Sequence, residues 1–267
     1  MKLQLWLGAT LVILIIGVAL FANQLSPHDY TEQELLKALL PPAWMAGGDW
    51  SYPLGTDRLG RDLLSRLMVG ARVSTAVGIF SVLLGGALGT VAGLLAGYYG
   101  GWVDRTISRL IDIQLSFPPV FIAIAVMAAV GQTLTNLILV LALVTWVQYA
   151  RVCRGSTLSL RRREFILAAH TVGAPHHRIL LRHLLPSVLP PLGVIATVNM
   201  SSMILAEAAL SFLGLGVQPP TPAWGSMVSE ARAILSIAPW NAIFPGLAIA
   251  LFVIGANLLG DGLRQRR

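Results

Sequence analysis

The chain has 267 residues, 55% of them hydrophobic and only 12% charged, with a mean hydropathy of +0.73. Soluble domains carry about a quarter charged residues, so a water-soluble globular protein is excluded and an integral membrane protein remains. The formal charge of +7 does not imply nucleic acid, because the basic residues segregate along the chain, and the lone Cys153 excludes an intrachain disulfide.

Six apolar stretches read as crossings of a hydrocarbon core that needs roughly 20 helical residues: Leu3–Ala22, Ser74–Tyr98, Phe117–Val130, Leu134–Ala150, Val188–Ala206 and Ala238–Leu259. The third is the shortest and can be extended back to Ile111. The first is too long for a signal peptide, and Leu20 spoils the small-x-small cleavage pattern before Ala22, so it reads as an uncleaved span. A loop rich in Pro, Trp and Asp follows. Its second half predicts an amphipathic helix capped by Thr56 or Asp57, with Leu63, Leu64, Leu67 and Met68 on one face. Two readings compete for that helix: a docking surface for an external protein, or a structural elbow leading into the second span.

The second span carries Gly85, Gly89, Gly93 and Gly97, each four residues apart, which puts four glycines on one face where another backbone can approach closely. The sequence leaves open whether that face meets its own bundle or a partner subunit. Trp102 and the tyrosines before it suit the headgroup level, and Pro118 and Pro119 stand at the head of the third span, where missing donors cost little. Arg151 and Arg154 close the fourth span as anchors, and Cys153 between them reads as a small packing residue.

Next comes the longest basic interruption after the first quarter of the chain, Arg161–Pro191. Arg161, Arg162 and Arg163 open it, and a helical run from Glu164 to Val172 carries the small Ala168 and Ala169. Gly173 ends that run, Pro175 suits the first turn of a second helix, and Pro186 and Pro190 close it. Two short helices at a bend make a compact knob, and a knob is built to be gripped. In the fifth span, Glu207 is either a solvated acid or the partner of Arg232, or else a functional residue, since intramembrane acids are often functional. The outer segment Gln218–Trp240, with Pro219, Pro220 and Pro222, folds back against the mouth of the bundle on this reading.

Placing the N-terminus in the cytoplasm assigns Lys2, Arg105, Arg109, the seven arginines of residues 151–187 and the three after Gly262 to the inside. The outer loop balances its basic residues with six acids from Asp29 to Asp62. The short loops then obey the positive-inside bias, with both termini cytoplasmic.

The chain has two lysines, Lys2 and Lys37, neither in a Gly-rich loop, so it holds no Walker A phosphate cradle. The spans contain almost no ionisable groups, and their polar residues are mostly Asn136, Gln148, Asn199 and Asn257, with several Ser and Thr. If the chain serves transport, a separate ATPase accounts for the energy better than an ion gradient, and an ion-coupled secondary transporter is the alternative. His170, His176, His177 and His183 lack the spacing and the acidic or thiol neighbours of a metal centre, so no metal site is assigned. They read instead as helix-end cations and interface residues. Neither a Ser-His-Asp set nor paired carboxylates is recognisable, and the chain reads as a non-enzyme.

The basic stretch resembles the EAA loop of ATP-binding-cassette (ABC) importer permeases, in which Glu-Ala-Ala is followed four residues later by Gly and then by Leu-Pro. Ala168, Ala169, Gly173, Leu185 and Pro186 match, whereas Leu167 stands in place of the motif's glutamate and Glu164 lies one turn earlier. Leu54–Leu67, Ala96–Arg105, Leu115–Pro119 and Glu207–Gly225 resemble the second permease subunit of dipeptide, oligopeptide and nickel importers. The resemblance implies an all-α polytopic fold of six transmembrane helices with a type I (MetI-like) core. Residues 1–73 would supply the first span, outer loop and amphipathic helix, and residues 74–267 the five-helix core with its coupling loop at 161–187. It also implies half of a translocation pore for short peptides or nickel in a bacterial inner membrane. The implied partners are a sister permease, two cytoplasmic ATP-binding subunits that use the ATP and Mg, and an extracytoplasmic solute-binding protein; no cofactor is expected on this chain. Glu164, Ala168, Ala169, Gly173, Leu185 and Pro186 would contact an ATPase, and Glu207 would lie beside the pathway.

Overall fold

A computed structural model describes residues 2–264, so Arg266 and Arg267, part of the charge expected on the inside, lie outside the description. Among the described residues the fold is all-helical: α1 (Lys2–Leu20), α2 (Leu63–Tyr99), α3 (Gly101–Leu115), α4 (Pro119–Val130), α5 (Leu134–Leu160), α6 (Glu164–Thr171), α7 (His176–Phe212), α8 (Trp224–Ala231) and α9 (Trp240–Arg264). The expected polytopic helical class is what forms. The count of six crossings is met only in part. Among the described residues four helices, α2, α5, α7 and α9, are long and apolar enough to cross a membrane, α3 with α4 makes a pair bent by 89°, and α1 contributes a shorter apolar helix over Gln4–Leu20. At 1.5 Å per residue, the 12 residues of α4 span about 18 Å, short of a core about 30 Å thick. Tandem Pro118-Pro119 removes two amide donors there, and Pro118 is extended at ψ 133°, which breaks what would have been one rod.

The amphipathic helix and the second span are a single 37-residue helix, so the division at residue 73 falls within one element. Neither Thr56 nor Asp57 caps it. Asp62 does, accepting from the Ser65 amide at 2.9 Å. Thr56 instead accepts from the Leu40 amide at 2.9 Å, and Asp57 turns the loop by accepting from the amides of Leu59 and Arg61 at 2.8 and 3.0 Å. The arginines of this stretch find partners within the chain. Arg72 donates to the last carbonyls of α1, Ala19 at 3.0 Å and Leu20 at 3.3 Å. Arg61 and Arg66 are buried in an ion network described below.

Two seams of small residues hold the bundle. The Gly85–Gly97 face meets α5 of the same chain: a Cβ would lie 2.7 Å from the Ala142 carbonyl at Gly85, 2.5 Å from that of Ala150 at Gly93, and 2.6 Å from Thr157 Cβ at Gly97. At Gly89 it would collide with the Trp146 carbonyl. The question left open by the sequence is answered: this face packs within its own bundle. The second seam joins α1 to α9. A Cβ on Gly8 would stand 2.5 Å from the Leu259 amide nitrogen, and one on Gly262 would stand 2.7 Å from Leu5 Cβ. No ladder spacing announces it, because its glycines sit on two helices far apart in sequence.

Candidate functional site

The basic knob begins at Arg161, whose guanidinium donates to the carbonyls of Gly97 and Tyr98 at 3.2 and 3.3 Å, tying the end of α5 to the end of α2. In α6, Ile166 and Ala169 turn inward and are buried, while Glu164, Phe165, Leu167 and Ala168 face outward. The two alanines therefore differ: Ala168 is open to a partner and Ala169 packs into the bundle. Val172, just past the helix, is 83% exposed. Gly173 stops the helix with φ +74°, and the Ala174 amide reaches back to the Ala169 carbonyl at 3.0 Å. Nothing lies within 4 Å of a Cβ built on Gly173, so the bend projects into open space.

The second helix of the knob does not end at Pro186 or Pro190. It continues as α7 through Phe212, with one π-helical stretch at Leu180–Leu184. The Leu185 amide reaches five residues back to the Leu180 carbonyl, and Pro186 has no amide to place. The register therefore shifts from π to α where no donor is lost. Leu185 is half-buried and Pro186 exposed. The knob's second helix is thus the base of the longest membrane helix that follows it, with Ile179 and Leu184 fully buried beneath.

The knob's histidines meet the end of α2. The Tyr98 hydroxyl and His176 Nδ1 share a hydrogen bond at 2.6 Å, and His170 Nε2 lies 3.5 Å from the same hydroxyl with its ring stacked on that of Tyr98. His176 and His170 act as interface polar residues that orient α6 and α7 on α2. Their partner is a tyrosine that sequence spacing alone did not connect to them.

At the opposite end of α7, Glu207 is completely buried. It is not solvated and it does not pair with Arg232, whose guanidinium lies 5.1 Å from the Phe212 ring centre. The carboxylate instead accepts from Ser211 Oγ at 2.8 Å and from Ser74 Oγ at 3.3 Å. Ser74 in turn accepts from the Trp224 amide at 3.1 Å. Glu207 therefore sits at the N-terminus of α8, where the helix dipole favours an anion, and pins that helix to α2 and α7. The outer segment folds back on the bundle as expected, and a Cβ at Gly225 would stand 3.0 Å from Glu207 Oε1.

A second pin lies beside it. Asp57 pairs with Arg61 Nε at 2.7 Å and with Arg66, and both arginines reach Glu230 of α8 at 3.2 and 3.0 Å. Burial pushes the Asp57 carboxyl up, yet the guanidiniums of Arg66 and Arg61 and two backbone amides outweigh it and hold it below the usual carboxylate range. The stretch Leu54–Leu67 is thus a buried clamp between the outer loop and α8. Of the two readings of that stretch, the structural elbow is the one its geometry fits.

A family model for the binding-protein-dependent transport system inner membrane component matches residues 89–266, and one for the N-terminal TM domain of oligopeptide transport permease C matches residues 5–42. The glutathione transport system permease proteins GsiD of Escherichia coli O6:K15:H31 (strain 536 / UPEC) and Shigella boydii serotype 4 (strain Sb227) are each 46% identical over 261 residues. The matched region covers 97% of this chain and 84% of theirs. Among solved structures, inward-facing conformations of the MetNI methionine ABC transporter match in two crystal forms, CY5 SeMet soak and CY5 native. Their TM-scores are 0.60 and 0.61 at 20% identity, covering 75% of this chain and 94% and 96% of theirs. At that identity the likeness concerns the fold alone.

Proposed function

The chain belongs to the family of binding-protein-dependent transport system inner membrane components, as a permease subunit of an ABC importer, and on that premise we propose how it works. It forms half of a translocation pathway for a short peptide or peptide-like solute. The relatives named for glutathione transport, a tripeptide, support this class; nickel has no comparable support. Gln148 on α5 and Asn257 on α9 are exposed on helices otherwise made for lipid, which suits a wet pathway shared with a sister permease. The other partners are an extracytoplasmic binding protein, which delivers the solute, and two cytoplasmic ATPase subunits, which use ATP and Mg.

The observation that carries the coupling is the continuity of the knob with α7. Phe165, Leu167, Ala168 and Val172 form an exposed apolar face beside Arg162 and Arg163, suited to a groove with an apolar floor and acidic rim. Leu167 replaces the motif's acid with an apolar contact on this face, and Glu164 supplies a charge one turn away. A displacement of the knob moves the base of α7, and with it the far end where Glu207 holds α8 over the mouth of the bundle. Glu207 thus bears on gating through α8. The charge distribution supports a cytoplasmic knob and cytoplasmic termini.

The test is uptake by the complete importer in vesicles, with binding protein outside and ATP inside. Labelled glutathione or dipeptide should enter only with ATP. Uptake driven by an ion gradient without ATP would favour a secondary transporter and overturn the proposal.

A further inference from the structure

Helix α3 has two unlike faces. Its inner face is pinned to α5: Asp104 accepts from Arg154 Nη2 at 2.8 Å, Gln114 accepts from Trp146 Nε1 at 2.7 Å, and Ile111 is buried. Its outer face presents Trp102, 71% exposed, with Arg105, Thr106, Arg109 and Leu110 around an open cleft of about 380 Å³. Arg105 and Arg109 stand one turn apart, which brings their side chains within about 6 Å of each other. Among the described residues neither has an ion-pair partner; Arg105 makes only a long bond from Nε to the Gly101 carbonyl at 3.4 Å. Asp112, the one acid a turn beyond Arg109, is exposed and also in no ion pair.

This arrangement has the chemistry of a phosphate site at a membrane boundary. Two unpaired guanidiniums converge on one cleft, an indole at its edge suits the headgroup level, and exposed Leu110 and Ile113 continue the face where acyl chains would lie. The Asp104–Arg154 pair sets the depth, because Arg154 lies near the basic end of α5, and Arg161 just beyond it binds the end of α2. We propose that this cleft binds the headgroup phosphate of an anionic phospholipid of the cytoplasmic leaflet, with Arg105 and Arg109 as its ligands. The proposal rests on the topology argued above. Such a lipid would brace α3 at the broken crossing, where α4 alone is too short to span the core.

The complete importer, purified into nanodiscs of phosphatidylcholine with or without phosphatidylglycerol, tests it by native mass spectrometry of retained lipid. Wild type should keep phosphatidylglycerol in preference to phosphatidylcholine, and high salt should abolish the preference. R105Q/R109Q should weaken retention about 30-fold, as expected for two interfacial basic residues, while R105K/R109K should keep most of it. Equal retention of both lipids by wild type, or unchanged retention in R105Q/R109Q, overturns the site. So does a crosslink from Thr106→Cys to the sister permease, which would make that subunit the occupant. Labelling of Thr106→Cys from outside would instead sink the topology, so the two failures can be told apart.

Discussion

Single residues matter here where a buried charge has been given partners that cannot be replaced by water. Asp57 holds two buried arginines, so Asp57→Ala should destabilise the outer loop by about 3–5 kcal/mol, as for other broken buried pairs. The effect would read as faster proteolysis between Asp29 and Asp62. The pH dependence follows from the sign of the shift. The folded carboxyl titrates below its unfolded value of about 4, so its contribution is complete above that pH and fades as the pH falls through the folded value. Loop protection should therefore persist down to about pH 4 and decline below it, and Asp57→Asn should flatten that decline. Glu207 makes a related case without a paired cation. Glu207→Ala leaves the hydroxyls of Ser74 and Ser211 without their acceptor, at about 1–3 kcal/mol for each group left unsatisfied. A thiol at Ala223, buried in the intact protein, should then become reactive toward an external maleimide. A thiol that stays protected would show that α8 is held by its other contacts alone.

Among the elements, the glycine ladder was legible because its signal is local: four residues of one type at helical spacing on one helix. Gly89→Leu, Gly93→Leu should separate α2 from α5, since carbonyls and backbone nitrogens stand where the side chains would go. Full assembly and transport by that double variant would contradict the packing. The Gly173 bend was legible for the same reason. What sequence reading missed depends on partners distant in the chain. Arg61, Arg66 and Arg72 have acceptors on Asp57, Glu230 and α1 that no spacing along the chain announces. Pro186 and Pro190 look like stops, yet a π-helical turn carries the chain through Pro186 as one rod with α7. Ala168 and Ala169 look equivalent by type, but their positions around α6 set one outward and one inward. A cysteine at Ala168 should therefore crosslink to a partner more readily than one at Ala169. The reverse order would put the docking face on the wrong side of α6.

At the scale of the whole molecule, the two ends of α7 carry the two contacts through which a cytoplasmic event could reach the outer side. The knob end is oriented on α2 by Tyr98, His176 and His170, and the far end holds α8 through Glu207. A rigid helix between them transmits displacement only if the knob is engaged in the correct shape. Gly173 is the residue on which that shape turns. Its φ of +74° is costly for any L side chain, by about 1–2 kcal/mol, yet no atom lies near enough to clash with an added Cβ. Gly173→Ala should therefore fold, insert and couple with modestly reduced efficiency, reporting backbone strain alone. Gly173→Trp adds bulk where an ATPase would close on the bend, so substrate-stimulated ATP hydrolysis should be lost while insertion and pairing with the sister permease persist. ATPase assays on the two reconstituted variants, with co-purification of the sister subunit as the control for assembly, separate strain from obstruction. If Gly173→Trp hydrolyses ATP and imports substrate as Gly173→Ala does, the bend is not gripped and coupling enters the bundle elsewhere.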